Sequence, residues 1–277
     1  MRRCIAALLI AGTGACASAP RTNVPTLAYG MPPVNPALYV LADTTVVRVE
    51  ADRGRNLDTT IGITARAEVG THVDSAGMLS SVRLRSVHGT FVVGDQVTLR
   101  ADSASLPTGA ALLRMSARGA DSTMHVPGMP RSLARIIGGE SFFHHFFIRV
   151  PGGPVAPGSE WTDTVSLTDE GAGVQSRTRT VVVSALRGDT TIDARVLHVI
   201  HSRISTTIEV DGIVDGMQVS QRLVGAGEAV SLWDGATSML VAREETLTVN
   251  GTMDLSGADL RGVPVQSTTR RVLRLVP

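Results

Sequence analysis

The chain has 277 residues, enough for one sizeable domain or two small domains that share a core. Its 26 basic and 25 acidic residues leave a formal net charge of +1, so no strong field attracts nucleic acid or an anionic membrane surface. All the basic residues are arginines, which excludes Schiff-base chemistry, a lysine base and a Walker-type phosphate loop. Aromatic residues make up only 3% of the chain, and the abundance of Val, Ile, Leu and Thr favours β-structure.

The first residues have the layout of a bacterial secretory signal. Arg2 and Arg3 precede a short apolar run from Ile5 to Ala11, and small residues then lead to Cys16. A signal-peptide core takes roughly 7–15 apolar residues, whereas a segment that spans a bilayer takes about 20. We therefore predict that residues 1–15 are removed and that Cys16 becomes the new N-terminus.

The small residues before Cys16 resemble the lipobox of bacterial lipoproteins, in which such a cysteine is acylated and anchors the protein to a membrane. Cys4 leaves with the signal, so the mature chain has no second cysteine for a disulfide bond. Ala17 follows the cysteine, and the sorting rule of some bacteria then implies the outer membrane, with the domain facing the periplasm or the cell surface. The alternative is an ordinary secreted protein that is cut after an Ala-x-Ala-like site near residue 19.

Prolines crowd into residues 16–37 and predict an extended spacer between the lipid and the folded domain. Residues 38–277 are predicted to form a single β-rich domain. Its halves, about 38–128 and 158–277, are joined by a crossover at 129–157. A faint repeat, in which residues 73–79 are echoed by residues 233–240, fits two similar β-halves and fits a chance match about as well.

Alternation of apolar and polar residues predicts strands throughout the domain. Val47 and Val49 fall on one face and Arg48 and Glu50 on the other, and this pattern indicates antiparallel sheet with one apolar face. Asp-Gly pairs at 211–212, 215–216 and 234–235 predict tight turns. Further strands are predicted at residues 61–69, 82–85, 178–186, 191–200, 205–210, 217–224, 238–249 and 270–276.

A helix is predicted in the middle of the chain, from Ser132 to Ile137, where Pro130 precedes it and two glycines end it. The next segment, residues 142–148, holds four of the five phenylalanines. In one interpretation they line a site for a lipid or another apolar ligand. In the other they form the core where a helix packs on the sheet. The residues concerned are Phe142, Phe143, Phe146 and Phe147.

The sequence contains no motif for catalysis or for binding a metal or a cofactor. His144 and His145 are adjacent, so in a strand they would point to opposite faces, and no Glu or Cys accompanies them at ligand spacing. The Gly-x-Ser-x-Gly and Ser-x-x-Lys motifs of serine hydrolases are absent. Acidic residues near a turn are common, and we interpret Asp163, Asp169 and Glu170 in this way and not as a catalytic carboxylate pair. We therefore expect a protein that is not an enzyme.

The chain combines a lipobox, a proline-rich spacer, alternating strands, a short helix and a Pro-Val-x-x-Gly-x-x-Trp crossover that ends at Trp161. This combination resembles bacterial lipoproteins that are similar in shape to the outer-membrane lipoprotein carrier and receptor proteins. Over residues 38–277 the resemblance implies a mainly β fold, a strongly curved antiparallel sheet in the form of a half-open barrel, with one or two short helices on its concave face.

The resemblance also implies a non-catalytic, membrane-anchored envelope lipoprotein whose curved sheet binds a lipid or another apolar ligand. The alternative is a structural module, or one that binds an envelope protein partner and no small molecule. In that case an exposed edge strand or the Asp-Gly turns would make the contacts.

Overall fold

The computed structural model describes residues 24–51, 55–137, 139–171, 173–214, 216–257 and 260–276. The predicted signal at residues 1–15 and the predicted lipidation site, Cys16, lie outside these residues. Two short helices, α1 (Arg131–Ile137) and α2 (Ser141–His144), are found in the middle of the chain. The strands are β1 (Thr26–Leu27), β2 (Ala37–Ala51), β3 (Arg55–Asp74), β4 (Gly77–Val93), β5 (Gln96–Ala101), β6 (Ala111–Ser116), β7 (Gly119–His125), β8 (Gly153–Pro154), β9 (Glu160–Gly171), β10 (Val174–Ile192), β11 (Arg195–Val214), β12 (Met217–Asp234), β13 (Met239–Leu255) and β14 (Leu260–Val276).

One antiparallel sheet makes up most of the domain. Eleven strands follow one another in the order β7-β6-β4-β3-β2-β14-β13-β12-β11-β10-β9, and β5 pairs with the end of β4 as a twelfth. Pairing of β14 with β2 joins the strands that precede the helices to those that follow them. The sheet is strongly curled into a half-barrel, which confirms the fold class predicted from the alternating pattern.

Glycines in β12 and β13 allow the tight curl of the sheet. A Cβ atom at Gly225 would overlap the carbonyl oxygen of Thr248, and one at Gly251 would overlap the carbonyl oxygen of Arg222. Glycine has no side chain, so the backbones of the two strands approach each other here more closely than they could with any other residue at these positions. Glycine inside a strand often marks such a bend or close approach.

The main core fills one end of the half-barrel, which we call the closed end. It is the end at which the β10–β11 and β12–β13 turns lie. Helix α1 packs on β3, β4 and β5 and helix α2 contacts β9, and the core that they share with the closed end includes the fully buried Leu133, Phe143 and Trp233. A smaller apolar cluster around Leu223, Val249 and Val265 lies farther along the same face, toward the opposite end. Between these two clusters, other side chains cover the concave face of the sheet less completely.

Residues 25–29 pack on the domain. β1 pairs with β8, Leu27 is fully buried, and the ring of Tyr29 meets that of Trp233 edge-on with centroids 4.8 Å apart. The hydroxyl of Tyr29 accepts a hydrogen bond of 3.0 Å from the backbone N–H of Ile148. At residues 25–29 the structure therefore differs from the spacer predicted for residues 16–37, because these residues contact the crossover, whereas Met31 and Val34 are exposed. Residues 16–23 lie outside the described part of the chain.

Two local predictions about β10 and β11 are also wrong. The Asp211-Gly212 pair lies inside β11, where Gly212 is paired with Val174 of β10. The strand predicted at 191–200 is interrupted by a turn at Asp193 and Ala194, whose φ angles are 48° and 61°. Residues other than glycine seldom adopt positive φ, so composition gave no sign of this turn. The helix predicted at 132–137 is confirmed by α1.

The crossover bridges the two edge strands of the sheet, β7 and β9. Arg149 binds Asp121 of β7 at 2.6 Å and Asp163 of β9 at 2.9 Å, and its backbone oxygen accepts a hydrogen bond from Trp161 Nε1. Arg118, in the β6–β7 turn, also contacts Asp163, at 3.0 Å. A charged segment across both edges hinders pairing with further strands, which is how many β-proteins protect their edges.

Candidate ligand-binding cavity

A cavity of about 300 Å³ lies between the concave face of the sheet and the segment that begins at α2. Its volume corresponds to roughly ten water molecules and falls at the lower end of the range for small-molecule pockets. Much of its wall is apolar and is formed by side chains that point inward from β9, β10, β11 and β13: Val165, Leu167, Val182, Ile204, Ile208 and Leu247.

The strand register shows which lining residues are level with one another. The charged residues lie nearest the closed end, and apolar residues are found farther along the strands. Arg243 on β13 lies nearest that end, and the next row contains Glu245, with Ser202 and Ser184 level with it on β11 and β10. In the next row the level positions are Leu247, Gly227, Ile204 and Val182. Two rows farther along they are Gly251, Leu223, Ile208, Thr178 and Leu167.

Hydroxyl groups in the wall are paired with one another across strands. Ser184 and Ser202 form a hydrogen bond of 2.8 Å between their hydroxyls, and Thr180 and Thr206 form one of 3.0 Å. Each pair satisfies one donor internally, so these polar groups lie in an otherwise apolar wall at little cost in desolvation.

Four charged side chains form a network at the floor of the cavity. Arg271 binds Asp43 through Nε at 2.7 Å and binds Glu245 through Nη1 at 3.1 Å. Arg243 contacts the second oxygen of Glu245. The four side chains are only 9–15% exposed, so their mutual pairing offsets a large loss of hydration.

The network keeps Glu245 ionised although it is buried. Burial by itself would raise the pKa of this carboxyl, but the guanidiniums of Arg243 and Arg271 outweigh that effect and hold its pKa below the ordinary value. With two arginines and two carboxylates, the network as a whole is neutral.

Arg243 differs from Arg271 in how fully its donors are used. A guanidinium has five N–H donors, and in Arg243 only Nη2 meets an acceptor among the described residues, namely Glu245. Arg271 is bound by both Asp43 and Glu245. Arg243 lines the cavity, and its remaining N–H groups have no acceptor within the described part of the chain.

His144 and His145 both line the cavity. The prediction that they lie in a strand and point to opposite faces is wrong. His144 ends α2 and His145 follows it with helical backbone angles, so the two rings project from one helical turn. His144 Nε2 is 2.8 Å from the hydroxyl of Thr123 in β7. Burial lowers the pKa of His145 well below its usual range, and Arg271, Arg243 and His144 lower it further, so this ring is neutral near pH 7.

The four phenylalanines occupy two different environments. Phe142, Phe143 and Phe146 are at most 2% exposed and belong to the main core, where their rings meet edge-on. Phe147 is half-buried, lines the cavity and contacts the ring of Tyr29. A ligand-binding role for the four remains a prediction, and the geometry restricts direct contact with a molecule in this cavity to Phe147.

No local sequence motif predicts the charged floor of the cavity. The positions of its charged residues along the strands do indicate it. On β13, Leu247 and Val249 define the inward face, and Arg243 and Glu245 fall on that face by the period of two. Arg271 of β14 lies opposite Glu245, and Asp43 of β2 lies opposite Arg271. Charged residues at inward positions of three neighbouring strands are the pattern that indicates a buried polar site.

Other classes of site find little support in the described residues. No group of three or more His, Cys, Asp or Glu side chains there is placed to hold a metal ion. No helix within the described ranges has the length and apolar character needed to cross a membrane. Asp163 and Asp169, the acidic residues noted in the sequence, are bound to Arg149 and to the backbone N–H of Ser141.

No family model and no curated protein matches the chain. Among solved structures, the chain is similar to one described as Salmonella typhi OmpF in complex with daunomycin, with 8% identity. The match covers 85% of this chain and 96% of the other, and its TM-score is 0.26. A similarity at that TM-score carries no argument about fold or function.

Proposed function

We propose that the protein is a non-catalytic lipoprotein of the bacterial envelope whose half-barrel binds one small apolar or amphipathic ligand. The secretory signal and the lipobox support an anchor at Cys16, and Ala17 favours the outer membrane. In this proposal the domain faces the periplasm or the cell surface, and lipidation holds it at the membrane while the cavity carries the ligand.

The observation that carries the proposal is the largely apolar cavity on the concave face. A sheet that needed this face only for its core would fill it with its own side chains, as the closed end is filled around Phe143 and Trp233. Instead, apolar side chains such as Val182, Leu167 and Ile208 remain half-buried around an open volume. Concave, mostly apolar sites with a few polar groups are typical of small-molecule binding.

The alternative, a module that binds a protein partner and no small molecule, has less support. It would be favoured by a completely filled concave face or by bare edge strands. The concave face contains the cavity, and β7 and β9 are bridged through Arg149 and its two carboxylate partners.

A variant that fills the cavity tests the proposal. The full chain with Cys16→Ser, secreted to a bacterial periplasm, is titrated with N-phenyl-1-naphthylamine, a neutral dye that fluoresces in apolar sites. Val182→Trp places a large ring into the cavity, and we expect dye affinity to fall by at least about tenfold, a loss of about 1.4 kcal/mol.

The matched control is Val183→Trp, which adds the same ring at the next residue of β10, on the opposite face of the sheet. This control should bind the dye as the unmodified domain does. Equal loss of affinity in both variants, or no dye binding by a folded unmodified domain, would contradict the proposal.

A further inference from the structure

The chemistry of the cavity floor specifies one end of the ligand. Arg243 is 15% exposed, and its N–H groups other than the one bound to Glu245 have no acceptor among the described residues. Arg243 lines the cavity, so donors of this kind can bind water when the cavity is empty, and an acceptor group on a ligand can replace that water. The free N–H groups of this guanidinium therefore mark the place where an acceptor group fits.

The charges that line the cavity indicate the sign of that acceptor. Arg149, Arg243 and Arg271 line the wall, whereas Glu245 is the one carboxylate in it. The other carboxylates that bind these arginines, Asp43, Asp121 and Asp163, lie outside the lining. Each arginine is paired, so the groups together carry no net positive charge. The surface that a ligand contacts nevertheless presents three guanidiniums and one carboxylate, and its N–H donors favour an acceptor such as an anion over a cation.

We propose that the ligand is a single-chain amphiphile whose carboxylate binds Arg243 and whose hydrocarbon chain lies along the apolar wall away from the closed end. This inference rests on the proposed function and adds the ligand class to it. A planar guanidinium with free donors matches a carboxylate, which accepts two parallel N–H bonds. Both partners are charged, which makes these hydrogen bonds stronger than those between neutral groups.

The wall beyond Arg243 has the length and chemistry that a hydrocarbon chain requires. From Glu245 to Gly251 the inward face of β13 extends roughly 20 Å at about 3.3 Å per residue. Along that distance Leu247, Ile204 and Ile208 offer apolar contacts. The volume of about 300 Å³ suits one chain. A two-chain lipid would have to leave one of its chains outside.

The test compares three probes of equal chain length in displacing N-phenyl-1-naphthylamine from the full chain with Cys16→Ser. This substitution ensures that no acyl group on residue 16 enters the cavity. The probes are dodecanoate, dodecan-1-ol and dodecyl phosphate, which share a hydrocarbon chain and differ in the head. We expect dodecanoate to bind at least about tenfold more tightly than the alcohol, since only the carboxylate forms charge-assisted hydrogen bonds with Arg243.

The double variant R243M/E245Q isolates the head-group contact. It removes one positive and one negative charge, so the network keeps its net charge, and Gln at position 245 still offers a carbonyl oxygen to Arg271. The expected result is at least about a tenfold loss of affinity for dodecanoate and less than about a twofold change for dodecan-1-ol. The control is R274M/E244Q, an exposed ion pair between β14 and β13, which should change neither affinity.

R243K keeps the charge and removes the planar fork, so we expect dodecanoate affinity between those of the unmodified domain and the double variant. Thermal unfolding of each variant establishes that it is folded. If dye and alcohol bind but dodecanoate has no advantage, or if dodecyl phosphate binds more tightly, the carboxylate assignment is wrong while the proposed function stands. If neither dye nor alcohol binds, the proposed function itself fails.

Discussion

Phe146 and Phe147 are adjacent in the chain and have different surroundings. Phe146 is 1% exposed and contacts the rings of Tyr39 and Phe142, whereas Phe147 is half-buried at the cavity. Phe146→Ala should lower the free energy of unfolding by about 3–5 kcal/mol because it leaves a void in the core. Phe147→Ala should cost only about 1 kcal/mol and should weaken binding of N-phenyl-1-naphthylamine, because part of the cavity wall is lost.

Urea unfolding and dye titration on the same two variants separate these effects. Each substitution removes the same atoms, so each variant is the control for the other. Similar losses of stability would contradict the assignment of Phe146 to the core and Phe147 to the cavity wall.

His145 should make stability depend on pH. Its pKa is lowered in the folded protein, mainly by burial and further by Arg271 and Arg243. Below about pH 6.5 the unfolded chain binds a proton at this residue that the folded protein does not bind. The contribution of His145 to the free energy of unfolding should therefore be constant above about pH 6.5. It should fall as the pH decreases from about 6.5 toward the pKa of His145 in the folded protein.

Urea unfolding at about pH 7.5 and about pH 5.5 tests this, because imidazole groups titrate between those values and ordinary carboxyl groups do not. His145→Gln should reduce the loss of stability on acidification by about 1 kcal/mol. His201→Gln is the control, since His201 is exposed on β11. Part of the dependence should persist in both variants, because burial also lowers the pKa of His144. An unchanged pH dependence in His145→Gln would contradict the neutral, buried state of this ring.

Among the secondary-structure elements, the alternation of apolar and polar residues predicted most of the strands. It did so because one face of the sheet points inward and the other faces solvent. Val47 and Val49 lie on the concave face as expected and pack on the smaller apolar cluster. The same alternation continues through polar residues such as Thr45 and Asp43, which composition alone would assign to the outside. The strands are consequently longer than the segments predicted from apolar residues alone.

The crossover was harder to predict because its structure depends on contacts between distant parts of the chain. Residues 142–148 lack a helical pattern of polar and apolar residues, since α2 is covered by the core on one side and by the cavity wall on the other. Arg149 has no neighbour in sequence that would indicate its partners, which lie on β7 and β9. The pair of Arg271 and Asp43 is separated by 228 positions in the chain.

At the scale of the whole molecule, the half-barrel is filled at one end and hollow farther along its concave face. The helices and the segment that includes Tyr29 cover part of the concave face, and the ion pairs of Arg149 connect the two edges of the sheet. The result is a cavity with a charged floor and an apolar wall. A rigid β-scaffold can hold such a site without being covered by many helices, because the sheet itself supplies most of the wall.

Native mass spectrometry of the full chain with Cys16→Ser, purified from a bacterial periplasm without detergent, tests the central claim most directly. The account predicts a second species, heavier by the mass of one small molecule, that disappears after organic extraction. It also predicts that Val182→Trp lacks this species and that Val183→Trp retains it. A folded domain that shows one mass before and after extraction, and that also takes up no dodecanoate when this is added, would contradict the ligand-binding account.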